Sequence, residues 1–386
     1  MFNNFVKRKA KMQFIDLKTQ QSKIRLKIEN RLNQVLDHGQ YILGPEIKEL
    51  ENNLAHYVGC KHAVAVSSGT DALLLALMCY DIGQGDAILT TPFTFIATAE
   101  VICLLGATPV FVDIAPQTYN IAPEAIEKTL MDCKNDSSFN KTIRGIIAVD
   151  LFGLPADYTA INQIAQKHDL FVIEDAAQSF GATCYDKKSC ALADIACTSF
   201  FPAKPLGGYG DGGMCFTNDD FLATKIRSLL VHGQGSHRYE HIYIGINGRL
   251  DTFQAAVLLE KFSIFPEECV LRQQVAERYS NAFNDHPSIT IPFIPEQYQS
   301  VWAQYSILLK QSRQRDQLQK HLSDNNIPSA IYYPIPIHKQ PAFKNLNSQS
   351  FPVSEDISQR IMSLPMHPYL EKSQQDLIIK TILEGI

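Results

Sequence analysis

One lysine stands in a segment made mostly of small or rigid residues. Lys204 lies within "SFFPAKPLGGYGDGGM", residues 199–214, among two prolines and five glycines. A lysine amine is a nucleophile that can form a Schiff base with a carbonyl compound. The glycines of "GYGDGG" match the dinucleotide pattern G-x-G-x-x-G, but that loop requires a strand before it and a helix after it. Because "PAKPL" precedes and the strand-like "MCFTN" follows, we interpret the segment as a glycine-rich turn that presents a lysine.

A carboxylate stands at the end of a neighbouring apolar segment. "DLFVIEDAAQSFGA" has the pattern of a buried strand that ends at Glu174 and Asp175. In an open parallel sheet, ligands bind just beyond the carboxyl ends of the strands, which would put Asp175 at the floor of a pocket. The ordinary alternative is an aspartate that caps the next helix or turn, and for an isolated aspartate this is the more common role.

Two further segments offer contacts for a flat, phosphorylated ligand. In "SSGTDALLLAL", small residues from Ser67 to Thr70 join an apolar strand to a helix, and a helix N-terminus favours an anion such as phosphate. Simple N-capping by Ser68 or Thr70 would account for the same residues. In "TTPFTFIATAE", either Phe93 or Phe95 could stack on a heterocycle, although core packing is the usual role of a phenylalanine.

Together these four segments meet the requirements of one ligand, pyridoxal 5'-phosphate (PLP). PLP needs a lysine amine that forms a Schiff base, a carboxylate for its pyridinium nitrogen, a phosphate-binding helix start and a ring that stacks on the heterocycle. The combination therefore predicts a PLP enzyme.

The rest of the chain predicts the scaffold for these segments. Residues 13–60 show helical spacing on either side of the turn-like "DHGQYILGPE". From about residue 62, short apolar segments alternate with helical ones, as in a mainly parallel sheet covered by helices. After Asn247 a long amphipathic helix is followed by mixed elements. We expect an α/β fold, with residues 1–250 forming the N-terminal helices and a large domain, and residues 251–386 a smaller α+β domain.

Composition excludes several other classes of protein. The 386 residues are 45% hydrophobic and carry a net charge of -5, without the basic field that nucleic-acid binding requires. No uncharged apolar segment reaches the roughly 18 to 20 residues of a membrane span. The basic residues 1–11, which precede a second candidate start at Met12, are not followed by the apolar segment of a signal peptide. We therefore expect a cytoplasmic protein.

The cysteines and histidines do not predict a disulfide framework or a metal site. Nine cysteines without a CxxC pair are typical of reduced, packed thiols. His232, His237 and His241 lie in "VHGQGSHRYEH", where the glycines disfavour a helix and no carboxylate or cysteine completes a usual site. We interpret this stretch as a loop, either at the mouth of the substrate site or with no special role, and we expect no metal.

Several segments, in this order, resemble the DegT/DnrJ/EryC1/StrS nucleotide-sugar aminotransferases of the fold-type I class of PLP enzymes. They are "SSGTDAL", "PFTFIATAE", "IEDAAQSFGA", "SFFPAKPLGGYGDGG", "GINGRLDTFQAAVL", "YYPIPIHKQPAF" and "SLPMHPYL". The resemblance extends from about Met12 to the C-terminus. It implies a large domain whose mainly parallel sheet lies between helices, a smaller C-terminal domain, and a homodimer with shared active sites.

The resemblance also assigns residues to the cofactor. It implies that Lys204 holds PLP covalently and moves the proton during catalysis, and that Asp175 keeps the pyridine nitrogen protonated. The further cofactor contacts that it implies are Gly69, Thr70 and Ser199 at the phosphate, Asp71 through its backbone N–H, Gln178 near the ring oxygen, and Asn247 from the other subunit. For the stacking ring we choose Phe95, with Phe93 as the alternative.

The substrate contacts implied by the resemblance are less uniform. They are Gly39 and Tyr41 in one loop, Ala203, Arg249, and the pair Tyr332 and Tyr333. Arg249 suits a carboxylate or diphosphate because a guanidinium can bind such groups with two parallel hydrogen bonds. The chain looks most like enzymes that act on a UDP-linked uronic acid, and in these a His-Tyr pair would precede "PIP" and a serine would precede the lysine. This chain has Tyr332 where the His-Tyr pair would have histidine, and Ala203 where the serine would precede the lysine.

The resemblance implies a specific reaction. A PLP-dependent aminotransferase would use L-glutamate to convert a UDP-linked 3-keto-2-acetamido-2-deoxy-glucuronic acid to its 3-amino sugar. That sugar would serve bacterial surface polysaccharide synthesis, such as that of lipopolysaccharide O-antigen. Two alternatives stay open: amination of a dTDP- or GDP-linked 3- or 4-keto-6-deoxyhexose, and a non-catalytic sensor of nucleotide sugars. Retention of Lys204 favours an enzyme over the sensor.

Overall fold

The structure is a computed structural model that describes residues 12–344, 346 and 349–386. The basic segment 1–11, and with it the question of the start at Met1 or Met12, lies outside the described residues. No helix in the described residues is both long enough and apolar enough to cross a lipid bilayer.

The strands form one large and two small sheets. In chain order they are β1 His62–Val66, β2 Asp86–Thr90, β3 Thr108–Phe111, β4 Thr142–Val149, β5 Phe171–Asp175, β6 Thr183–Cys184, β7 Lys187–Lys188, β8 Ile195–Ser199, β9 Gly213–Thr217, β10 Ile289–Thr290, β11 Tyr298–Gln299, β12 Tyr305–Leu309 and β13 Ile361–Leu364. The large sheet has the order β1-β9-β8-β5-β4-β2-β3, and the small sheets have the orders β10-β12-β13 and β11-β6-β7.

The helices cover both faces of the large sheet and build the C-terminal part. They are α1 Leu17–His38, α2 Pro45–Val58, α3 Gly69–Cys79, α4 Ala97–Leu104, α5 Pro123–Asn135, α6 Tyr158–His168, α7 Asp220–Leu229, α8 Thr252–Phe283, α9 Ser312–Asp324, α10 Pro352–Arg360 and α11 Lys372–Glu384. Short 3-10 helices occupy Leu151–Gly153, Ile337–Lys339 and Pro341–Phe343.

The large sheet is mainly parallel, as expected. Strand β9 runs antiparallel to its neighbours β1 and β8, whereas the pairs β5/β8, β4/β5, β2/β4 and β2/β3 are parallel. Alternate residues of β1 enter different cores: Ala63 and Ala65 face the core that contains α2 and α8, and Val64 and Val66 face the core that contains α3. A sheet buried on both faces explains why its strands read as continuous apolar segments.

The register aligns the strand ends that matter for function. Gly213 of β9 lies opposite Val66 of β1 on one side and Ser199 of β8 on the other. Asp175 of β5 pairs with Val149 of β4 and with Cys197 of β8. The carboxyl ends of β1, β4, β5 and β8 therefore meet at one edge of the sheet, which is where a ligand binds in such folds.

Helix α8 connects the two cores. Ala255 and Leu258 in its first half pack into the core of the large sheet, whereas Ala276 and Tyr279 in its second half pack into a core with the β10-β12-β13 sheet. The boundary predicted at residue 250 precedes this helix, and the packing makes α8 common to both parts. The boundary itself stays a prediction.

The alternation of strands and helices expected from about residue 62 is present, but local pattern does not predict β8 or α5. The residues of β8, "IACTS", are few and include Thr198 and Ser199, so they do not form a long apolar segment. The strand is buried because β5 and β9 flank it within the sheet, which a reading of local hydrophobicity does not detect.

Candidate active site

The segment with Lys204 is a compact turn between β8 and β9. The Lys204 N–H donates to Phe201 O at 2.9 Å, and the Gly208 N–H donates to Phe200 O at 2.7 Å. Gly213 begins a strand and not a helix, as the argument against a dinucleotide site requires. The Lys204 amine has no hydrogen bond or ion pair among the described residues. Burial lowers its pKa, and the charge of Asp175 partly offsets this effect.

Asp175 ends β5 as a buried carboxylate with two donors. Thr98 Oγ1 donates to its Oδ2 at 2.8 Å, and the Ala177 N–H donates to its Oδ1 at 3.2 Å. Burial raises the pKa of Asp175, while these hydrogen bonds and the charge of Lys204 lower it. The carboxylate therefore stands in a site where its charge is incompletely compensated, and a cationic group beside it would be stabilised.

Both the oxygen and the nitrogen of the Gln178 side-chain amide are hydrogen-bonded. Its Oε1 accepts from the Phe152 N–H at 2.9 Å, and its Nε2 donates to the Tyr333 hydroxyl at 3.3 Å. Burial raises the pKa of Tyr333, so this hydroxyl keeps its proton at neutral pH. The structure thereby brings Tyr333, predicted as a substrate contact, against Gln178, predicted as a cofactor contact.

The start of α3 forms a cradle with the end of β8. Ser68 caps the helix, because its Oγ accepts from the Asp71 N–H at 3.0 Å. That N–H, which we expected at a phosphate, thus has a partner within the chain. The N–H groups of Gly69 and Thr70 have none among the described residues. A Cβ atom on Gly69 would lie 2.7 Å from Ser199 Cβ, so only glycine permits this approach.

The two candidate stacking rings differ in exposure. Phe95 is 55% exposed and lies beside Tyr333, with ring centroids 6.5 Å apart. Phe93 is fully buried in a core with Val149 and Phe152. Only Phe95 is thus available to a ligand in this structure.

These features fit PLP. Within the part of the chain that the structure describes, the site offers a lysine amine and two helix-start N–H groups without hydrogen-bond partners, together with a buried carboxylate whose charge is incompletely compensated. A glycine at the helix start permits close approach. Such groups suit the aldehyde, the pyridinium nitrogen and the phosphate of PLP, respectively. We call this set the inner cluster: Gly69, Thr70, Phe95, Asp175, Gln178, Ser199 and Lys204.

A second group of predicted residues lies on exposed loops, and we call Gly39, Tyr41, Asn247 and Arg249 the outer cluster. Gly39 ends α1 in the left-handed conformation, with φ 69°. The Tyr41 ring stacks on Phe253, with centroids 5.6 Å apart. Arg249 Nε donates to Asn247 Oδ1 at 3.0 Å. A backbone bridge between Arg249 and Val66 brings this group beside the end of β1.

Two other predicted substrate residues lie nearer the inner cluster. Tyr332 is half-buried and packs edge-on against Tyr333, with centroids 5.8 Å apart. Ala203 is partly exposed in the turn that precedes Lys204. Neither side chain brings a charge to the site, so recognition of an anionic sugar there would depend on other residues.

The three histidines of the loop after α7 are not assembled around a metal. His241 Nδ1 lies 2.9 Å from the backbone oxygen of His232. Among the described residues, no group of three His, Cys, Asp or Glu side chains could hold a metal ion. All nine cysteines are free thiols.

At the carboxyl edge of this α/β sheet lie a buried aspartate and a lysine amine with no hydrogen bond or ion pair among the described residues, and this arrangement is that of a PLP-dependent transferase of fold type I. Comparison with known proteins gives the family: residues 22–383 match the DegT/DnrJ/EryC1/StrS aminotransferase family. The chain belongs to this family and is a PLP-dependent aminotransferase.

Individual relatives match almost the whole chain. It is 48% identical to the UDP-2-acetamido-2-deoxy-3-oxo-D-glucuronate aminotransferase of Pseudomonas aeruginosa, over 95% of this chain and 98% of that one. It is similar to the crystal structure of a family member from Brucella abortus, with a TM-score of 0.93, 46% identity and coverage of 97% and 99%. It is also similar to NtdA of Bacillus subtilis with bound cofactor PMP, with a TM-score of 0.86, 28% identity and coverage of 96% and 83%.

Sequence reasoning missed residues that support the site. Thr98 lies in the quoted segment "TTPFTFIATAE", but only its phenylalanines were singled out there. Gln254 was also overlooked, although its Oε1 accepts from the Tyr209 N–H and steadies the glycine-rich turn. The signal for Thr98 was weak, since a threonine near a helix start usually serves the helix itself.

Proposed function

We propose that this aminotransferase converts a UDP-linked 3-keto-2-acetamido-2-deoxy-glucuronic acid to its 3-amino sugar with L-glutamate as the amino donor. The observation that supports this substrate is the 48% identity to the Pseudomonas aeruginosa enzyme along 95% of the chain. The product would be a building block of bacterial surface polysaccharide, such as lipopolysaccharide O-antigen. The nine free thiols are consistent with a reducing compartment, and we propose the cytoplasm.

The inner cluster would hold and assist the cofactor. When bound, PLP supplies an electron sink for the bond that breaks at the amino carbon. The Lys204 amine, whose pKa burial lowers, would hold the cofactor covalently and then move the proton at the amino carbon. Asp175 would keep a proton on the pyridine nitrogen. Gly69, Thr70 and Ser199 would bind the phosphate, with Phe95 stacked on the ring and Gln178 at the ring oxygen.

We further propose that a second copy of the chain completes the site. Asn247 would reach the phosphate of the PLP that is bound in the partner subunit. Arg249 would bind the carboxylate of the sugar or the diphosphate of the nucleotide. In support, the segments that contain the outer cluster expose large apolar side chains, including Ile244 at 92% and Leu43 at 53%. Exposed apolar surface of this kind is typical of an interface between protein chains.

The two halves of the reaction can be tested separately on the PLP-loaded enzyme. Glutamate alone should abolish the visible absorbance of protein-bound PLP and release one equivalent of 2-oxoglutarate. After removal of glutamate, the UDP-linked 3-keto uronic acid should restore that absorbance. The matched sugar without the carboxylate, UDP-linked 3-keto-N-acetylglucosamine, should restore it far more slowly.

A dTDP-linked 3-keto-6-deoxyhexose serves as the comparison for the alternative substrate. If it restores the absorbance as fast as the UDP-linked uronic acid does, the proposed substrate is wrong and the deoxyhexose reaction takes its place. If glutamate leaves the absorbance unchanged while the protein binds nucleotide sugars, the chain is a sensor or uses another donor, which a panel of amino acids separates.

A further inference from the structure

Two carboxyl groups lie buried directly behind Asp175. Glu174 precedes it on β5, so the two side chains point to opposite faces of the sheet. Asp150 follows the last residue of β4, and its backbone N–H donates to Asp175 O at 3.1 Å. Both Asp150 and Glu174 are fully buried. Neither has a part in the proposed chemistry.

The two groups share a dense set of hydrogen-bond donors. Asp150 accepts from the Ala156 N–H, the Tyr158 hydroxyl and the Ser179 hydroxyl, and Glu174 accepts from the Cys190 and Leu192 N–H groups. Ser189 joins them, since its Oγ lies 2.9 Å from Glu174 Oε1 and 3.3 Å from Asp150 Oδ2. Ser189 also contacts Ser179, so one continuous network spans both carboxyl groups.

Among the described residues, this network includes no cationic side chain. None of the ion pairs within the described residues includes Asp150 or Glu174. Two adjacent buried carboxylates without a counter-ion cannot both be charged at moderate cost, so one of them keeps a proton. In agreement, burial raises the pKa of Asp150 to about 6, and burial with the charge of Asp150 raises the pKa of Glu174 well above its usual range.

The network is attached to the inner cluster at two points. The first is the backbone bond from Asp150 to Asp175. The second is Ser179, which follows Gln178 in the turn after β5 and donates to Asp150 at 2.6 Å. Asp150 thus holds both ends of the segment that presents Asp175 and Gln178, through its backbone N–H at Asp175 and through its carboxylate at Ser179. Only the second of these bonds depends on the charge of the carboxylate.

We propose that Asp150 and Glu174 share one proton and act as a positioning pair for Asp175 and Gln178. The proposal rests on the function proposed for those two residues in the PLP site. Protonation of Asp150 weakens it as an acceptor, because a neutral carboxyl accepts weaker hydrogen bonds than a carboxylate. The turn with Gln178 then loosens, and the enzyme loses activity on the acid side of about pH 6.

Other titratable groups facing the pair do not reproduce this behaviour. They are Tyr158 from α6, Cys184 from β6, Cys190 from the loop after β7, and Asp175 from β5. Burial raises the pKa of the tyrosine and of both thiols, so these three stay neutral near pH 6. The substitution Asp175→Asn distinguishes the titration of Asp175 from that of the pair, because it removes the Asp175 carboxyl and should leave the proton shared by Asp150 and Glu174 in place.

The first test compares pH profiles of the glutamate half-reaction in the loaded enzyme. Asp150→Asn cannot titrate, so we expect a rate about tenfold lower at pH 7.5 and no inflection near pH 6. Glu174→Gln imitates the protonated member and should keep the inflection. Asp186→Asn, at an exposed carboxylate, is the matched control and should match the wild type. The proposal is overturned if Asp150→Asn and Glu174→Gln lower the rate of the glutamate half-reaction equally and both keep the wild-type inflection.

The second test uses the PLP-free protein and so does not depend on the proposed function. Infrared spectroscopy in D₂O at neutral pH should show the band of a protonated carboxyl that Asp175→Asn keeps and Glu174→Gln removes. Absence of that band from the wild type overturns the shared proton. Should Asp150→Asn fail to fold, Ser179→Ala removes the hydroxyl that links Asp150 to the turn and contacts Ser189, but keeps both carboxyl groups and their other donors. It should keep the infrared band and weaken PLP binding about tenfold, and unchanged PLP binding would overturn the positioning role.

Discussion

The inner and outer clusters differ in how the chain holds them. Asp175 and Gln178 are buried, and each side chain makes two hydrogen bonds to groups of the same chain. In the outer cluster, Asn247 is exposed and its oxygen accepts from Arg249, while Tyr41 is held mainly by the face of Phe253. The buried members of the inner cluster are held within a single chain, whereas the outer cluster lies on surface loops with exposed apolar neighbours.

This difference fits the roles proposed for the two groups. A cofactor that stays on the protein needs groups that are already oriented, and burial at the sheet edge orients them and perturbs the pKa values of Asp175 and Lys204. A nucleotide sugar enters and leaves at every turnover, so the residues proposed to bind it, such as Tyr41 and Arg249, belong on accessible loops. The comparison predicts that changes in the inner cluster affect chemistry, whereas changes in the outer cluster affect substrate binding and assembly.

The largest effect is expected from Lys204→Ala. Without the amine, no group in the site can hold the cofactor covalently or move the proton, so kcat should fall at least about 10³-fold. Lys204→Arg is the matched variant, because it keeps a positive charge near Asp175 but provides no reactive amine. Both variants should bind PLP without the visible absorbance of the wild type, and both should fail to produce 2-oxoglutarate in a single turnover. Turnover of both half-reactions by Lys204→Ala would contradict the role of the inner cluster.

Much of the inner cluster could be predicted from the sequence because its residues follow recognisable strands. Asp175 ends an apolar segment, so the rule that ligands bind at strand ends predicted its position. The segment Ser67 to Thr70 starts a helix, and the preference of a helix N-terminus for anions predicted a phosphate there. The strand that presents Ser199 was missed, since its burial arises from its neighbours in the sheet. Thr98 was missed because its partner Asp175 is 77 residues away in the chain.

The outer cluster could be assigned only through the family resemblance. Asn247 and Arg249 stand in a polar loop, where their types alone predict no more than a solvated surface. Their place beside β1 depends on long-range pairing of Arg249 with Val66, which no local pattern signals. The departures at Ala203 and Tyr332 likewise leave the sugar contacts as predictions, because neither side chain has a charge that would define its partner.

A smaller effect is expected from Arg249→Ala. Loss of a guanidinium that binds an anionic group should raise KM for the nucleotide sugar about tenfold to a hundredfold and leave the glutamate half-reaction nearly unchanged. Arg249→Lys, which keeps the charge but not the paired donors, should give an intermediate KM. Steady-state kinetics with the nucleotide sugar and stopped-flow absorbance with glutamate measure the two effects. An equal loss in both half-reactions would place Arg249 with the inner cluster instead.

The substitution Arg249→Ala also tests whether Arg249 acts in the active site of its own chain or in that of the partner chain. A heterodimer of one Lys204→Ala chain and one Arg249→Ala chain, purified with two different tags, contains one intact site if Arg249 acts across the interface. It should then have about half the wild-type activity per dimer. If each chain uses its own Arg249, one site lacks Lys204 and the other lacks Arg249. At nucleotide-sugar concentrations well below KM, the heterodimer should then have about half the low activity of the Arg249→Ala homodimer. The Arg249→Ala homodimer is the control for residual activity.

The smallest effect distinguishes the two phenylalanines at the edge of the inner cluster. Phe95→Leu removes an exposed ring, so PLP should bind about threefold to tenfold more weakly while the free energy of unfolding of the PLP-free protein changes little. Phe93→Leu alters a buried core position, so it should cost about 1 kcal/mol of unfolding free energy with a smaller effect on PLP affinity. PLP titration by absorbance and denaturant unfolding of the PLP-free protein measure the two quantities. If Phe93→Leu weakened PLP binding more than Phe95→Leu did, exposure would be a poor guide to the stacking ring and the alternative assignment to Phe93 would be preferred.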